Sequence, residues 1–122
     1  MNGSRFIPKS LKLTTLEEAV MLTMQDKARY GLQIIDMVHQ AGNGYEDIHV
    51  GSLYPLLRRL IQRDLLKFTQ VEEASTIRGG HRRKYYELTP LGKTALFESE
   101  QLRRNLRNWE DSDLPDCIQP SM

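Results

Sequence analysis

HVGSLYPLLRRLIQRDLL, residues 49–66, is the stretch on which the fold turns. Leu53, Leu57, Leu60 and Ile61 recur at helical spacing and share one face, while Ser52, Tyr54, Pro55, Arg58, Arg59 and Arg63 fall mainly on other sides. Pro55 belongs within the first turn or so, because deeper in a helix a proline loses a ladder hydrogen bond and clashes with the preceding turn. That places the helix start near Gly51 or Ser52. Such a helix packs on a core with one face and keeps a polar, cationic surface on the other.

Downstream the period changes from helix to strand. LLKFTQVEE (65–73) and RKYYELT (83–89) carry β-branched or aromatic residues at alternate positions, separated by a turn-prone segment at 74–81, and read as an antiparallel hairpin. Tyr85 and Tyr86 are adjacent on the second strand, so one faces inward and the other outward, with core the commoner role for either. Helical period returns in TPLGKTALFESEQLRRNLRNW (89–109). There Thr89 caps, Pro90 opens, and Leu91, Ala95, Ser99, Leu102, Leu106 and Trp109 form a seam.

Two helices precede residue 49. Thr14 or Thr15 caps the first, Glu17 and Glu18 suit its positive start, and Leu16, Ala19, Val20 and Thr23 make its stripe. The second runs from about residue 30 to 40, with Leu32, Ile35, Met37 and Val38 largely on one side. AGNG (41–44) stops it, with Gly42 or Gly44 able to take a left-handed conformation. The chain divides into an amino-terminal arm (1–13), a three-helix-plus-hairpin domain (14–89), a long helix (90–110) and an acidic tail (111–122).

With 122 residues and 39% apolar side chains, the chain supports one core. The net charge of +1 hides an uneven distribution. Residues 50–88 hold eight Lys and Arg against four acids, whereas the last fifteen residues hold Glu110, Asp111, Asp113 and Asp116 and no cation. A local field of this kind, more than net charge, steers a polyanion. Arg78, Arg82, Arg83 and Lys84 crowd the hairpin tip around Gly79, Gly80 and His81.

Three short helices followed by a hairpin is the element order of a winged helix-turn-helix: mainly α with a small β-hairpin, here extended by a long carboxyl-terminal helix. The third helix is then the element that enters the major groove of double-stranded DNA. His49, Ser52 and Tyr54 lie near its amino end where base edges come closest, with Pro55 beside them and Arg58 and Arg59 a turn further on. Arg78, His81, Arg82, Arg83 and Lys84 suit the phosphate backbone or the minor groove, and Gly79 and Gly80 allow close approach. The plainer alternatives are a core helix with solvated arginines and a hairpin made basic for solubility. A twenty-residue helix spans about 30 Å, more than so small a core covers. The Leu91, Ala95, Leu102, Leu106, Trp109 seam therefore points to a homodimer with two recognition helices about one DNA turn apart.

Catalysis finds no support, since there is no GxGxxG, Walker or HExxH pattern. Cys117 is the sole cysteine and no Cys/His cluster has zinc spacing, so no metal or other cofactor is expected and a reducing, cytoplasmic location is. No run of eighteen apolar residues indicates a membrane span. His39 reads as a satisfied or solvated side chain. RNA reading is disfavoured because no exposed aromatic platform is evident. A winged helix that binds a protein and no DNA is the principal alternative.

YGLQII (30–35), GSLYPLLRRL (51–60) and RRKYYELTPLGKTAL (82–96) resemble, in that order, the PadR family of bacterial transcriptional regulators. The likeness spans roughly residues 14–109, and the second and third segments are specific when found together. It implies a dimeric winged-helix repressor with Ser52, Tyr54, Pro55 and Arg58 on the recognition helix and Arg82 and Arg83 at the base of the wing. The single long helix resembles the family's short-tailed branch, and a similarity to one cyanobacterial member implies repression of a clock gene. It leaves open whether a small-molecule effector exists.

Overall fold

The computed structural model describes residues 11–42, 44, 48–73 and 82–110, with only the backbone path for 70–73 and 82. Helix α1 (Thr15–Leu22) begins with a reciprocal cap. Thr14 Oγ1 accepts the Glu17 amide at 3.1 Å and Glu17 Oε1 accepts the Thr14 amide at 2.9 Å, satisfying two free donors of the first turn. Strand β1 (Arg29–Tyr30) leads directly into α2 (Gly31–Ala41), whose end is marked by Gly42 at φ +83°, with Gly44 also at positive φ.

The apolar face of α2 differs from the sequence expectation. Ile34, Ile35 and Val38 are buried and Met37 is half-buried, but Leu32 is 62% exposed. With apolar residues at 32, 34, 35, 37 and 38, the period alone does not choose a face, and contact with α1 and the next helix decides it.

Helix α3 (Val50–Gln62) starts one residue earlier than expected, and Pro55 sits in its second turn. The Gly51 carbonyl thereby loses its usual amide partner; Gly51 lies in the exposed first turn, where water can take that acceptor. Leu53, Leu57 and Leu60 are buried as expected, joined by Leu56, and Ile61 is half-buried. The helix stops at Asp64, whose φ of +62° makes it the left-handed residue of a Schellman turn. Its amide donates to the Ile61 carbonyl and the Leu65 amide to the Leu60 carbonyl, both at 2.9 Å, while the fully buried Leu60 and Leu65 side chains close the apolar side.

The hairpin is β2 (Leu66–Glu73) and β3 (Arg82–Leu88), antiparallel from Leu66↔Leu88 to Glu73↔Arg82, with an irregularity between Phe68 and Gln70. β1 pairs with the other side of β3, Arg29↔Tyr86 and Tyr30↔Tyr85, so the expected two strands form a three-stranded sheet in the order β1-β3-β2. Tyr86 is the inward tyrosine, and Tyr85 meets Tyr30 edge-on at 5.4 Å.

Helix α4 (Pro90–Arg107) is capped by Thr89, whose Oγ1 accepts the Gly92 amide at 2.9 Å and donates to the Asp64 carbonyl at 2.6 Å. One hydroxyl therefore starts α4 and ties it to the end of α3. Leu91 and Ala95 pack on the core, as does Leu96, whereas Leu102 and Leu106 are each 60% exposed and Trp109 is exposed too.

Glu17 and Glu18 do more than suit a helix start. Both are buried: Glu17 accepts from Arg63 at 3.0 Å and Glu18 from both guanidinium nitrogens of Arg103. The first pair fixes the end of α3 to α1, and the second fixes α4 to α1.

Candidate nucleic-acid interface

On α3 the leucine face is turned to the core, and His49, Ser52, Tyr54, Arg58 and Arg59 are exposed with Pro55 half-buried. The amino-terminal polar groups are partly committed to the helix itself. His49 Nδ1 accepts the Gly51 amide at 3.0 Å, which leaves Nε2 as the nitrogen facing outward. Ser52 Oγ accepts the His49 amide at 3.2 Å and donates to the His49 carbonyl at 3.0 Å, keeping one lone pair free. These residues brace the start of α3 as well as displaying hydrogen-bonding atoms.

Tyr54 and Arg58 lie one turn apart and so share a row on the side of α3 nearest the sheet. There a cleft of about 630 Å³ opens between α3, the start of α2 and the sheet, with Tyr54, Arg58, Arg83 and Lys84 in its lining. The structure thus brings together four residues from two separated segments of sequence. Arg59 and His49 stay on α3 outside this cleft. Among the described residues no acidic side chain lines it, although the strand register sets Glu72 opposite Arg83.

The cations are positioned by rings. The Arg83 guanidinium carbon lies 4.7 Å from the Tyr30 ring centroid, and Lys84 Nζ lies 5.3 Å from that of Phe68. Phe68 is 51% exposed and meets Tyr86 across the strands at 5.2 Å. Burial pushes the Tyr86 hydroxyl above its ordinary pKa; the nearby Tyr54 acts in the same direction and Arg58 opposes it. Tyr54 in turn rests on the α2 start, where a Cβ at Gly31 would fall 2.3 Å from its Oη. A side chain at residue 31 would displace the Tyr54 ring from this position.

Tyr30, Leu32 and Phe68 were not anticipated in this site. The signal for Phe68 was its place opposite Tyr86, but for Tyr30 and Leu32 the sequence carried none beyond their position at the start of α2. Phe68 and Tyr54 are exposed, so the cleft shows two aromatic side chains to solvent. Arg63, counted in the basic middle, is spent on Glu17 and on the Lys12 carbonyl. Arg78, Gly79, Gly80 and His81 lie outside the described residues, as does the Arg82 side chain. His39 Nε2 meets the Ile48 carbonyl at 2.8 Å. Among the described residues no three metal-ligating side chains converge, and no helix is long and apolar enough to cross a membrane.

Helices α1 to α3 followed by the β2–β3 wing, with cations on the face shared by α3 and β3, define a winged-helix protein. Comparison with known proteins makes this specific. Residues 20–98 match the transcriptional regulator PadR-like family, and the chain belongs to that family. A crystal structure of a PadR family transcription regulator from hypervirulent Clostridium difficile is 30% identical, covering 77% of this chain and 92% of that one, with a TM-score of 0.64. A PadR-like transcriptional regulator from Bacillus cereus is 27% identical over 78% of this chain and 93% of its own, with a TM-score of 0.59. Bacillus subtilis PadR in complex with operator DNA shares the fold at 18% identity and a TM-score of 0.56, with 87% of this chain and 53% of that one aligned. These comparisons lend no support to a circadian role.

Proposed function

We propose that the protein is a homodimeric repressor that binds a pseudo-palindromic site in double-stranded DNA. Helix α3 enters the major groove, with His49, Ser52, Tyr54, Arg58 and Arg59 nearest the bases or the flanking phosphates. The wing, including Arg82, Arg83 and Lys84, tracks the backbone or minor groove. The observation that carries the reading is the convergence of Arg58, Arg83 and Lys84 around Tyr54 in one cleft. The carboxyl-terminal half of α4 and the residues just after it support the dimer: Leu102, Leu106 and Trp109 are large apolar groups that their own core leaves exposed. A transcriptional repressor of this kind acts in the cytoplasm and needs neither cofactor nor catalytic residues.

The test is fluorescence anisotropy with a duplex from upstream of the protein's own gene and a scrambled duplex, each at low and moderate salt. Arg58→Ala is expected to weaken binding to the preferred duplex by about 1–3 kcal/mol if it reads a base edge. Arg83→Ala is expected to weaken binding to both duplexes and to flatten the salt slope by about one unit. Equal behaviour of both variants and the parent on a preferred duplex would remove the cleft from the DNA interface. Charge reversal at Arg58 and Arg82 separates this reading from a protein-binding winged helix, whose partner on another face would stay bound.

A further inference from the structure

The cleft beside α3 has more aromatic surface than phosphate contact requires. Tyr30, Tyr54 and Phe68 contribute rings from α2's entry, α3 and β2, and Arg58, Arg83 and Lys84 contribute cations from α3 and β3. Its volume of about 630 Å³ lies within the range of small-molecule sites. We propose that it is a binding site for a nucleoside monophosphate, which excludes DNA while bound. The exclusion rests on the regulator reading above; the site itself does not.

The chemistry of the lining selects both halves of this ligand. Three cations over-match a single carboxylate, whereas a phosphate dianion offers several acceptor oxygens to a guanidinium fork and an ammonium together. Arg83 and Lys84 each lie over a ring, Tyr30 and Phe68 respectively. A ligand with a dianion and a planar base suits such pairs: the phosphate draws the cations, and the base takes one of the ring faces they cover. Tyr54 supplies a hydroxyl, held against Gly31, for a heteroatom at the base edge. Leu32, also in the lining, gives apolar cover to the sugar side. Because Tyr54 and Arg58 line the cleft together with Arg83 and Lys84, a nucleotide seated here occupies groups assigned above to DNA.

The test uses the full chain and adenosine 5′-monophosphate, cytidine 5′-monophosphate, the corresponding nucleosides and inorganic phosphate, each followed by calorimetry. At least one monophosphate is expected to bind about ten-fold or more tightly than its nucleoside or phosphate alone, and Phe68→Ala is expected to weaken it by about ten-fold. The exposure of Phe68 lets that variant fold, which circular dichroism checks, and Phe68→Leu separates loss of the ring from loss of apolar volume. No saturable binding of either monophosphate to folded chain, or equal binding by inorganic phosphate, overturns the assignment. So does an unchanged affinity in Phe68→Ala. A single-stranded oligonucleotide that binds far more tightly than the monophosphates moves the site to strand recognition and overturns it as well. The monophosphate is then titrated against a bound duplex: release supports exclusion, and co-occupancy refutes it. Nucleotide binding by a chain that binds no duplex upholds the site and counts against the regulator reading.

Discussion

Gly92 is the position where a single methyl group should do the most damage. A Cβ there would lie 2.2 Å from the Leu65 carbonyl oxygen, a backbone atom that cannot rotate away. To restore ordinary contact, the start of α4 must move about 1 Å from the turn that ends α3. Two hydrogen bonds span that joint, Thr89 amide to Leu65 carbonyl at 3.1 Å and Thr89 hydroxyl to Asp64 carbonyl at 2.6 Å. Weakening both removes about 2 kcal/mol, and overpacking adds about 1–3 kcal/mol. Alanine's better helix propensity returns at most about 1 kcal/mol. Gly92→Ala should therefore destabilise by about 2–4 kcal/mol, which lowers a urea midpoint by about 1–2 M for a domain of this size. Lys93→Ala, at the next and exposed residue, should stay within about 0.5 kcal/mol. A Gly92→Ala midpoint equal to or above the parent's would refute the close approach.

Arg103→Met leaves the buried Glu18 carboxylate without its guanidinium and should cost about 2–4 kcal/mol, less than a fully buried pair because Arg103 is half exposed. Adding Glu18→Gln should recover part of that loss in a denaturation double-mutant cycle, and simple additivity would count against the pair. Leu106→Glu should turn the proposed dimer into a monomer in sedimentation while the winged domain's melting temperature hardly moves, since the burial lost is about 1.5–3 kcal/mol per side chain at the proposed interface alone. Tyr86→Phe addresses alkaline stability. The folded Tyr86 hydroxyl ionises above its ordinary value, so the unfolded chain loses its proton first. That contribution is complete below pH about 10 and is lost as pH rises beyond it. The parent's denaturation midpoint should fall over that window, and the variant's should fall less.

Much of the fold was legible because its signals are local. Leu53, Leu57 and Leu60 announce the inner face of α3, Thr89-Pro90 announces the start of α4, and the aromatic alternation at 83–89 announces β3. What was missed depends on partners distant along the chain. Strand β1 has two residues, too few for any period, and exists because β3 is there to pair with it. Glu17 and Glu18 read as helix-start charges until Arg63 and Arg103, 46 and 85 residues from their partners, are placed beside them. Asp64 is of a type that tolerates the left-handed region, but nothing beside it in the sequence singles it out. The site divides in the same way: Tyr54 and Arg58 follow from the α3 period, but the cleft needs side chains from α2, α3, β2 and β3 at once.

The short strand β1 also has a mechanical meaning. β3 has neighbours on both sides at Tyr85 and Tyr86 but on one side only from Arg82 to Lys84. The described part of the wing is thus clamped at its root by the segment that starts α2. Arg83 and Lys84 lie immediately beyond the clamp, where small rotations of the root are translated into displacement of charge. A change in how α1 hands over to α2 would then re-aim the wing's cations without any alteration in the wing itself.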